Sequence, residues 1–338
     1  TSSVLAIGNR SAQGASGPVI AIGCCAAGNS GGGSAGGIFI GRCAGRYANA
    51  TDSPNMVMGA NAGRSLTSGL NIIIGSGAAY PATSACRNIG LGGQSHQKLT
   101  TGDGNIAFGS FALAGNTTGC CNIAIGDLSG ARVTGASGSC NVMISVGAGH
   151  SLTTGCDNVF IGRCAGYGIT SGINNIAMGL LAGTNTGIGS ENVFIGSCTG
   201  FHNTEGRCNV FIGKYAGKCN TVGSYNVAIG DRAGCCLRTG CTGVLIGLAA
   251  GMKVCSGHSN IFIGTQTGLC ASTACENVIM GTVAGKALAG GVNNVALGKM
   301  SGCKLNNGSH NVLLGNCSGY CLQGNNNVML GMNAGFHR

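Results

Sequence analysis

The 338-residue chain has no tryptophan, three prolines and little charge, since only 8% of its residues are Asp, Glu, Lys or Arg. An ordinary soluble domain carries about 25% charged residues. A disordered linker combines low hydrophobicity with high net charge, and the 44% hydrophobic content excludes that class. No run of about 18 apolar residues exists, so no membrane span is predicted.

Catalytic and binding motifs are also missing. The eight acidic residues do not recur at one position of a repeat, and no paired carboxylates or Ser-His-Asp arrangement can be argued. We therefore predict that the chain is not an enzyme and holds no cofactor. The 18 Lys and Arg residues give a net charge of +10 but are scattered along the sequence. Nucleic-acid binding requires a basic patch with aromatic platforms, so no nucleic-acid partner is predicted.

Glycine is abundant, with 67 residues, but no Gly-X-Y period exists and collagen is excluded. One phrase recurs instead, reading NVFIGRCAG from Asn158, NVFIGKYAG from Asn209 and NVALGKMSG from Asn294. The glycine that closes each apolar run is called the anchor here. From Gly162 to Gly315 every step between anchors is 17 residues, which indicates a regular repeat protein.

Seventeen residues suit one coil of a β-roll, with two short strands and two tight turns. A small residue lies three after the anchor, a corner glycine four after, an apolar residue seven after and Thr eight after. These positions are called the small column, the corner glycines, the apolar column and the Thr column. The sequence predicts an all-β, single-chain β-solenoid of about 20 coils, forming one continuous domain over residues 1–338. No coil could fold alone, because stacking is what buries its apolar surface.

The repeated phrase resembles the β-roll repeats of trimeric autotransporter adhesin heads. It is also similar to the "NTAIG…AG…TTG…N" repeats of phage tail fibres and bacterial surface proteins. The resemblance covers essentially the whole chain, and it implies a stacked β-roll architecture.

Each predicted strand alternates between two faces. Residues three before and one before the anchor, such as Val210 and Ile212, form the flanking columns and are predicted to point inward. The residue two before the anchor, the middle column, would then point outward, although it is apolar. We interpret it as a lateral interface between copies; the alternative is a wider roll that folds this face inward. The aromatic members of this predicted interface are Phe39, Phe160, Phe194, Phe211 and Phe262.

An Asn column lies four residues before the anchor. Its amides could hydrogen-bond along the stack, or each Asn could be a plain turn-former. The residues predicted to form this stacking ladder are Asn158, Asn175, Asn192, Asn209 and Asn226.

The two ends of the sequence each hold part of a coil. Seven residues follow Gly331 and Gly8 is the eighth residue, so together they match the 15-residue step from Gly8 to Gly23. This match predicts a head-to-tail contact that generates a filament; the alternative is a fragment of a longer fibre. The residues predicted to make the contact are Val4, Ile7, Leu330 and Phe336.

The 21 cysteines share repeat positions, and no C-x-x-C pair occurs. The histidines fall in different columns, so no zinc or other metal site is predicted. Stacked cysteines are within reach of a disulfide, which would imply an oxidising, extracellular setting; otherwise they are small buried hydrophobes. The disulfide candidates, in adjacent coils or within one coil, are Cys25, Cys43, Cys219, Cys236, Cys241, Cys270 and Cys275.

These patterns predict a structural subunit of an extracellular filament or fibre whose main partner is itself. It would assemble head-to-tail and laterally, reinforced by disulfides. The alternative is a shaft segment of a trimeric tail fibre or adhesin that binds a host surface or glycan. Ice binding by the Thr column is a further hypothesis from a different class.

Overall fold

The computed structural model describes most of the chain, namely residues 3–15, 17–28, 36–48, 54–80, 82–130 and 135–336. It contains twenty β-strands and, over these ranges, no helix. The chain divides into two compact units, Thr1–Ser171 and Gly172–Arg338. Each unit is a β-solenoid, as predicted, and each coil contributes one strand. The single continuous domain over residues 1–338 stays a prediction.

The first unit contains ten parallel strands. They are β1 (Val4–Ile7), β2 (Val19–Ile22), β3 (Gly37–Ile40), β4 (Met56–Met58), β5 (Ile72–Ile74), β6 (Ile89–Leu91), β7 (Ile106–Phe108), β8 (Ile123–Ile125), β9 (Val142–Ile144) and β10 (Val159–Ile161). Each strand pairs with the strand of the next coil, and equivalent residues stand opposite each other, as Val142 does with Val159.

The second unit repeats this arrangement with ten more strands. They are β11 (Ile176–Met178), β12 (Val193–Ile195), β13 (Val210–Ile212), β14 (Val227–Ile229), β15 (Val244–Ile246), β16 (Ile261–Ile263), β17 (Val278–Met280), β18 (Val295–Leu297), β19 (Val312–Leu314) and β20 (Val328–Leu330). Pairing is again parallel and in register, with Val193 opposite Val210 and Ile195 opposite Ile212.

The prediction of two strands per coil is wrong. The segment through the apolar and Thr columns stacks on its neighbours by backbone hydrogen bonds, such as Thr204 N to Thr221 O at 3.0 Å. It makes only isolated bridges, for example between Cys275 and Val292. The chain turns again too soon for a second ladder, because a residue of left-handed conformation, such as Tyr225 with φ 60°, follows before the next strand.

The anchor glycines allow adjacent coils to approach closely. Gly213 has φ +123°, and a Cβ atom placed on it would lie 2.6 Å from the carbonyl oxygen of Gly230 in the next coil. A side chain there would push the coils apart, so the column requires glycine for both conformation and space.

The middle column forms the core, and the prediction that it is an outward lateral interface is wrong. Its aromatic residues are almost fully buried, with relative exposures between 0% and 2%: Phe39, Phe160, Phe194, Phe211 and Phe262. The small column is also buried, for example at Ala165 and Ala216, and so is the apolar column at Leu237 and Leu305. The flanking columns, exemplified by Val210 and Ile212, are partly exposed instead.

The corner glycines explain why the middle column points inward. A Cβ atom on Gly268 would lie 2.5 Å from the ring of Phe262, so the phenyl ring occupies the space that the glycine leaves open. The Asn column belongs to the same face of the strand, because its residues lie two positions away. Asn260 and Phe262 are both buried, so the strand alternates between two faces as predicted. The inward face, however, is that of the middle column and not that of the flanking columns.

In some coils, large and small residues exchange places between the middle column and the corner position. In the sixth coil the middle residue is Gly90 and the corner position holds His96, whose ring is fully buried beside Gly90. In the seventh coil Ala107 accompanies Leu113 in the same way. Close packing requires such compensation, because unfilled or overfilled space destabilises a core.

This exchange predicts the outcome of a double-mutant cycle. The single substitution Gly268→Leu should destabilise the second unit by more than about 3 kcal/mol, because the new side chain meets the Phe262 ring. Phe262→Ala alone should also destabilise it, by about 3 kcal/mol. The double variant reproduces the Ala107 and Leu113 combination and should be much less destabilised than the sum of the two.

Thermal melting of the four proteins, followed by circular dichroism, measures the coupling. Additive effects of the two substitutions would contradict the exchange of volume between these positions.

Candidate functional site

The Asn column is a buried ladder of amides, as predicted. Asn209 donates from both its backbone N–H and its Nδ2 to Oδ1 of Asn192, at 3.1 Å each. Asn226 makes the same pair of bonds to Asn209, and Asn192 makes them to Asn175. In the first unit Asn158 bonds Oδ1 of Asn141 in this way, at 3.0 and 3.1 Å.

Each ladder amide also binds a turn. Nδ2 of Asn192 donates to the carbonyl oxygen of Gly206, 14 residues later, at 2.9 Å. The amide therefore links the start of its own strand, the preceding coil and the turn that leads to the next coil. Buried amides satisfied in this way favour one register of stacking over any other, because a slipped coil would leave them unpaired.

The ladder of the second unit has one gap, at Gly243. Its backbone N–H still donates to Oδ1 of Asn226 at 2.9 Å, but glycine has no amide to continue the chain of bonds. In the next coil, Nδ2 of Asn260 still donates to the carbonyl oxygen of Ala274 at 2.6 Å. Asn260 lacks the second acceptor of other ladder residues, because Gly243 has no side-chain oxygen.

Filling this gap should stabilise the second unit. Gly243→Asn is expected to raise its stability by about 2 kcal/mol, from two added hydrogen bonds and a less flexible unfolded chain. Gly243→Ala is the matched control and should gain about 0.5 kcal/mol, because it adds no amide. Hydrogen exchange of the Asn260 amide, which should slow only in the Asn variant, distinguishes the two. Equal effects of Asn and Ala would contradict a bonded ladder.

The outer face of the sheet is a partly exposed apolar surface in each unit. It consists of the flanking columns, two residues in each of the twenty strands, and every one is Val, Ile, Leu, Met or Phe. None of these side chains is buried, and Ile195, Ile261 and Met280 are 37–39% exposed. From β2 to β19, the exposed or partly exposed apolar residues of the strands are therefore those of the flanking columns and not those of the middle column.

The outer face is too large to be an incidental surface feature. Each unit has ten coils spaced about 4.8 Å apart, and each three-residue strand is about 10 Å long. The projected apolar area of the outer face is therefore about 450 Å² in each unit. Soluble monomers rarely expose a contiguous apolar patch larger than a few hundred Å². Parallel sheets moreover occur almost only with both faces covered.

Three of the four residues predicted for the head-to-tail contact lie on two edge strands, and Phe336 follows the second of these strands. Val4 and Ile7 belong to β1, which pairs with β2, and they are 47% and 54% exposed. Leu330 belongs to β20, which pairs with β19, and is 64% exposed, while Phe336 is 40% exposed. Each of these strands has one edge without a strand partner among the described residues, which is the arrangement that permits pairing with another chain.

Several cysteines occupy a position where other coils have serine. This position, called the thiol column, lies near the turn before the Asn column. The Cys241 thiol donates to the carbonyl oxygen of Thr239 at 3.4 Å and accepts from the backbone N–H of Ser224 at 3.5 Å. In the preceding coil the Ser224 hydroxyl makes the equivalent bonds, to Val222 O at 3.2 Å and from Arg207 N at 3.0 Å. The cysteines that donate similarly are Cys120, Cys156 and Cys275.

No disulfide bond is present among the 21 cysteines, all of which are within the described residues. Cys25, Cys43, Cys219, Cys236 and Cys270 are partly exposed free thiols. Cys241 and Cys275 use their thiols as hydrogen-bond donors to turn carbonyls. The disulfide pairing is not confirmed and stays a prediction.

The thiol column can be tested by isosteric substitution. Cys241→Ser should leave stability within about 0.5 kcal/mol, because a hydroxyl makes the same two bonds, whereas Cys241→Ala should lose about 1 kcal/mol. Melting temperatures of both variants, measured without reductant, give the comparison. An equal, larger loss in both would show instead that Cys241 is bonded to another cysteine.

The Thr column also serves coil-to-coil bonding. The Thr100 hydroxyl donates to the carbonyl oxygen of Thr117 at 2.9 Å, and Thr221 donates to Arg238 O at 3.0 Å. The hydroxyl protons of these two Thr residues are directed to backbone acceptors of the next coil.

Burial shifts the pKa values of His96 and Cys235 in the directions that favour their neutral forms. Burial lowers the pKa of His96 to about 4, and its ring nitrogens have no hydrogen-bond partner among the described residues. Burial raises the pKa of the Cys235 thiol to about 11, so it is protonated at neutral pH and a poor nucleophile. Over the described ranges, no three His, Cys, Asp or Glu side chains are arranged to hold a metal ion.

Comparison with known proteins adds no family to this description. No family model matches the chain, and no curated protein matches it in sequence. In the part of the chain that the structure describes, no helix has the length and apolar character needed to cross a bilayer.

Proposed function

We propose that the chain is a structural component of an extracellular fibre, and that copies of it associate side by side through the outer face of the sheet. The exposure of the flanking columns is the observation that carries this proposal. The middle column has no part in it, because Phe194 and Phe211 are fully buried.

A second copy of the same chain is the occupant that best fits the outer face. Both columns repeat with the spacing of the coils, so an identical face offers apolar groups at the same spacing. Two faces of about 450 Å² bring the contact of one unit close to the ~1,000 Å² of a stable biological interface. The flanking columns contain no charged residue, so no charge is desolvated on contact.

The head-to-tail contact is the second part of the proposal. The open edges of β1 and β20, with Val4, Ile7, Leu330 and Phe336 exposed, support an end-to-end contact between copies. The cysteine content supports an oxidising, extracellular setting, in which the partly exposed thiols would cross-link neighbouring copies.

The alternative is the shaft of a trimeric tail fibre or adhesin that binds a host surface or glycan. It uses the same outer face, since three such faces can close around an axis. Negative-stain electron microscopy separates the two forms: filaments of variable length favour the filament subunit, and uniform trimers favour the shaft.

Polar substitution of the outer face should weaken lateral association. Val227→Thr combined with Ile229→Thr replaces two apolar side chains of β14 by a residue that also favours strands. We expect self-association at least about 100-fold weaker, because the apolar groups are lost on both contacting copies. Sedimentation velocity over a range of concentrations measures the effect.

The matched control carries the same chemical changes away from the sheet. Val222→Thr combined with Ile188→Thr alters two residues that are 44% and 46% exposed but lie outside the strands. Its self-association should be unchanged. A monomeric parent chain, or equal weakening in both variants, would refute association through the outer face.

A further inference from the structure

The basic residues of the second unit are concentrated at one corner of the coil. This near corner comprises the residues one to six after each anchor, between the sheet and the apolar column. It carries seven of the nine described basic residues of the unit: Lys214, Lys218, Arg232, Lys253, Lys286, Lys299 and Lys304. Its only acidic residue is Asp231. Of the seven, Lys218 and Lys286 are partly exposed and the others are exposed.

Stacking of the coils places these residues beside one another. The backbone N–H of Arg232 donates to Lys214 O at 2.9 Å, and that of Cys270 donates to Lys286 O at 2.9 Å. Side chains of one corner also converge, since the ammonium groups of Lys214 and Lys218 lie 5.1 and 5.0 Å from the centre of the Tyr215 ring. Residues scattered in sequence thus gather at one corner in five of six successive coils.

The charge of the near corner is not compensated within the chain. Seven basic side chains less one acidic side chain give it a net charge of +6. Its one ion pair among the described residues joins Arg232 to Asp231 at 4.0 Å, and both side chains are about half exposed. Six lysines without acidic partners on adjacent coils repel one another, which favours a negatively charged ligand.

A second copy of the chain cannot supply that negative charge. The opposite corner, eight to twelve residues after each anchor, carries Glu191, Glu205 and Glu276 but also Arg207 and Arg238. Its net charge is therefore −1, against +6 on the near corner. An external polyanion would supply the missing negative charge.

We propose that the near corner of residues 172–338 binds an acidic polysaccharide that runs along the stacked coils. Five of the six coils from Lys214 to Lys304 contribute a basic side chain, so a linear polymer meets a cation about every 5–10 Å. This binding goes beyond the structural role and does not depend on lateral association.

The chemistry of the corner favours a polysaccharide over a nucleic acid. Six of the seven cations are lysines, whereas arginine is the preferred residue for recognising phosphates of nucleic acids. Single-stranded nucleic acids also need open aromatic faces for base stacking. Here Tyr215 is covered by Lys214 and Lys218, and Lys304 lies 5.3 Å from the centre of the Tyr320 ring.

Binding of the full chain to dextran sulfate, with uncharged dextran as the reference polymer, tests the proposal. The parent chain should bind only the sulfated polymer, more weakly at about 200 mM than at about 50 mM NaCl. Lys253→Gln combined with Lys304→Gln should lower the affinity about tenfold. The control Arg207→Gln combined with Arg238→Gln removes the same charge from the opposite corner and should change it less than twofold.

Three outcomes would overturn the proposal: no binding to dextran sulfate at low salt, equal loss in both variants, or tighter binding to single-stranded DNA of the same charge. Sedimentation velocity of the lysine variant should show the self-association of the parent chain. The outcome for the near corner is thereby independent of the outcome for the outer face.

Discussion

The buried Asn column is the interaction on which the rest of the structure depends. In the ladder, the backbone N–H and the Nδ2 of an Asn both donate to Oδ1 of the Asn in the preceding coil, as Asn192 does to Asn175. The same Nδ2 also donates to a turn carbonyl oxygen, that of Gly206. A buried amide without partners is costly, so this column holds coils of similar apolar content in one register. From Asn55 onward the other columns are aligned in that same register.

Much of the fold could be predicted from the 17-residue period. It predicted the solenoid, the Asn ladder, the small column and the burial of the apolar column, because each is a local preference repeated at fixed spacing. It did not predict which face of the strand points to the interior. Val210, Phe211 and Ile212 are all apolar, so the sequence does not distinguish the buried residue from its exposed neighbours. The signal that was available is the Asn two residues before Phe211, because an amide that bonds along the stack must share its face with the core.

The thiol column and the near corner were missed for a different reason. The cysteines were interpreted as disulfide pairs. The hydrogen bonds of Cys241 are instead equivalent to those of Ser224, which occupies the same position in the preceding coil. Reading basic residues along the sequence finds no cluster, because Lys253 and Lys286 are 33 residues apart. Only their positions relative to the anchor bring them to one corner, so charge in a solenoid has to be counted by column.

The in-register stacking of the coils has a consequence for how such a chain can change its length. Because equivalent residues of successive strands stand opposite each other, as Val193 and Val210 do, each coil presents a similar hydrogen-bonding surface to the coils before and after it. In repeat arrays the contacts extend only to nearest neighbours. Duplication or deletion of one whole coil would then join two compatible surfaces, and a gene encoding this repeat could lengthen or shorten its product in single-coil steps without changing the strand register.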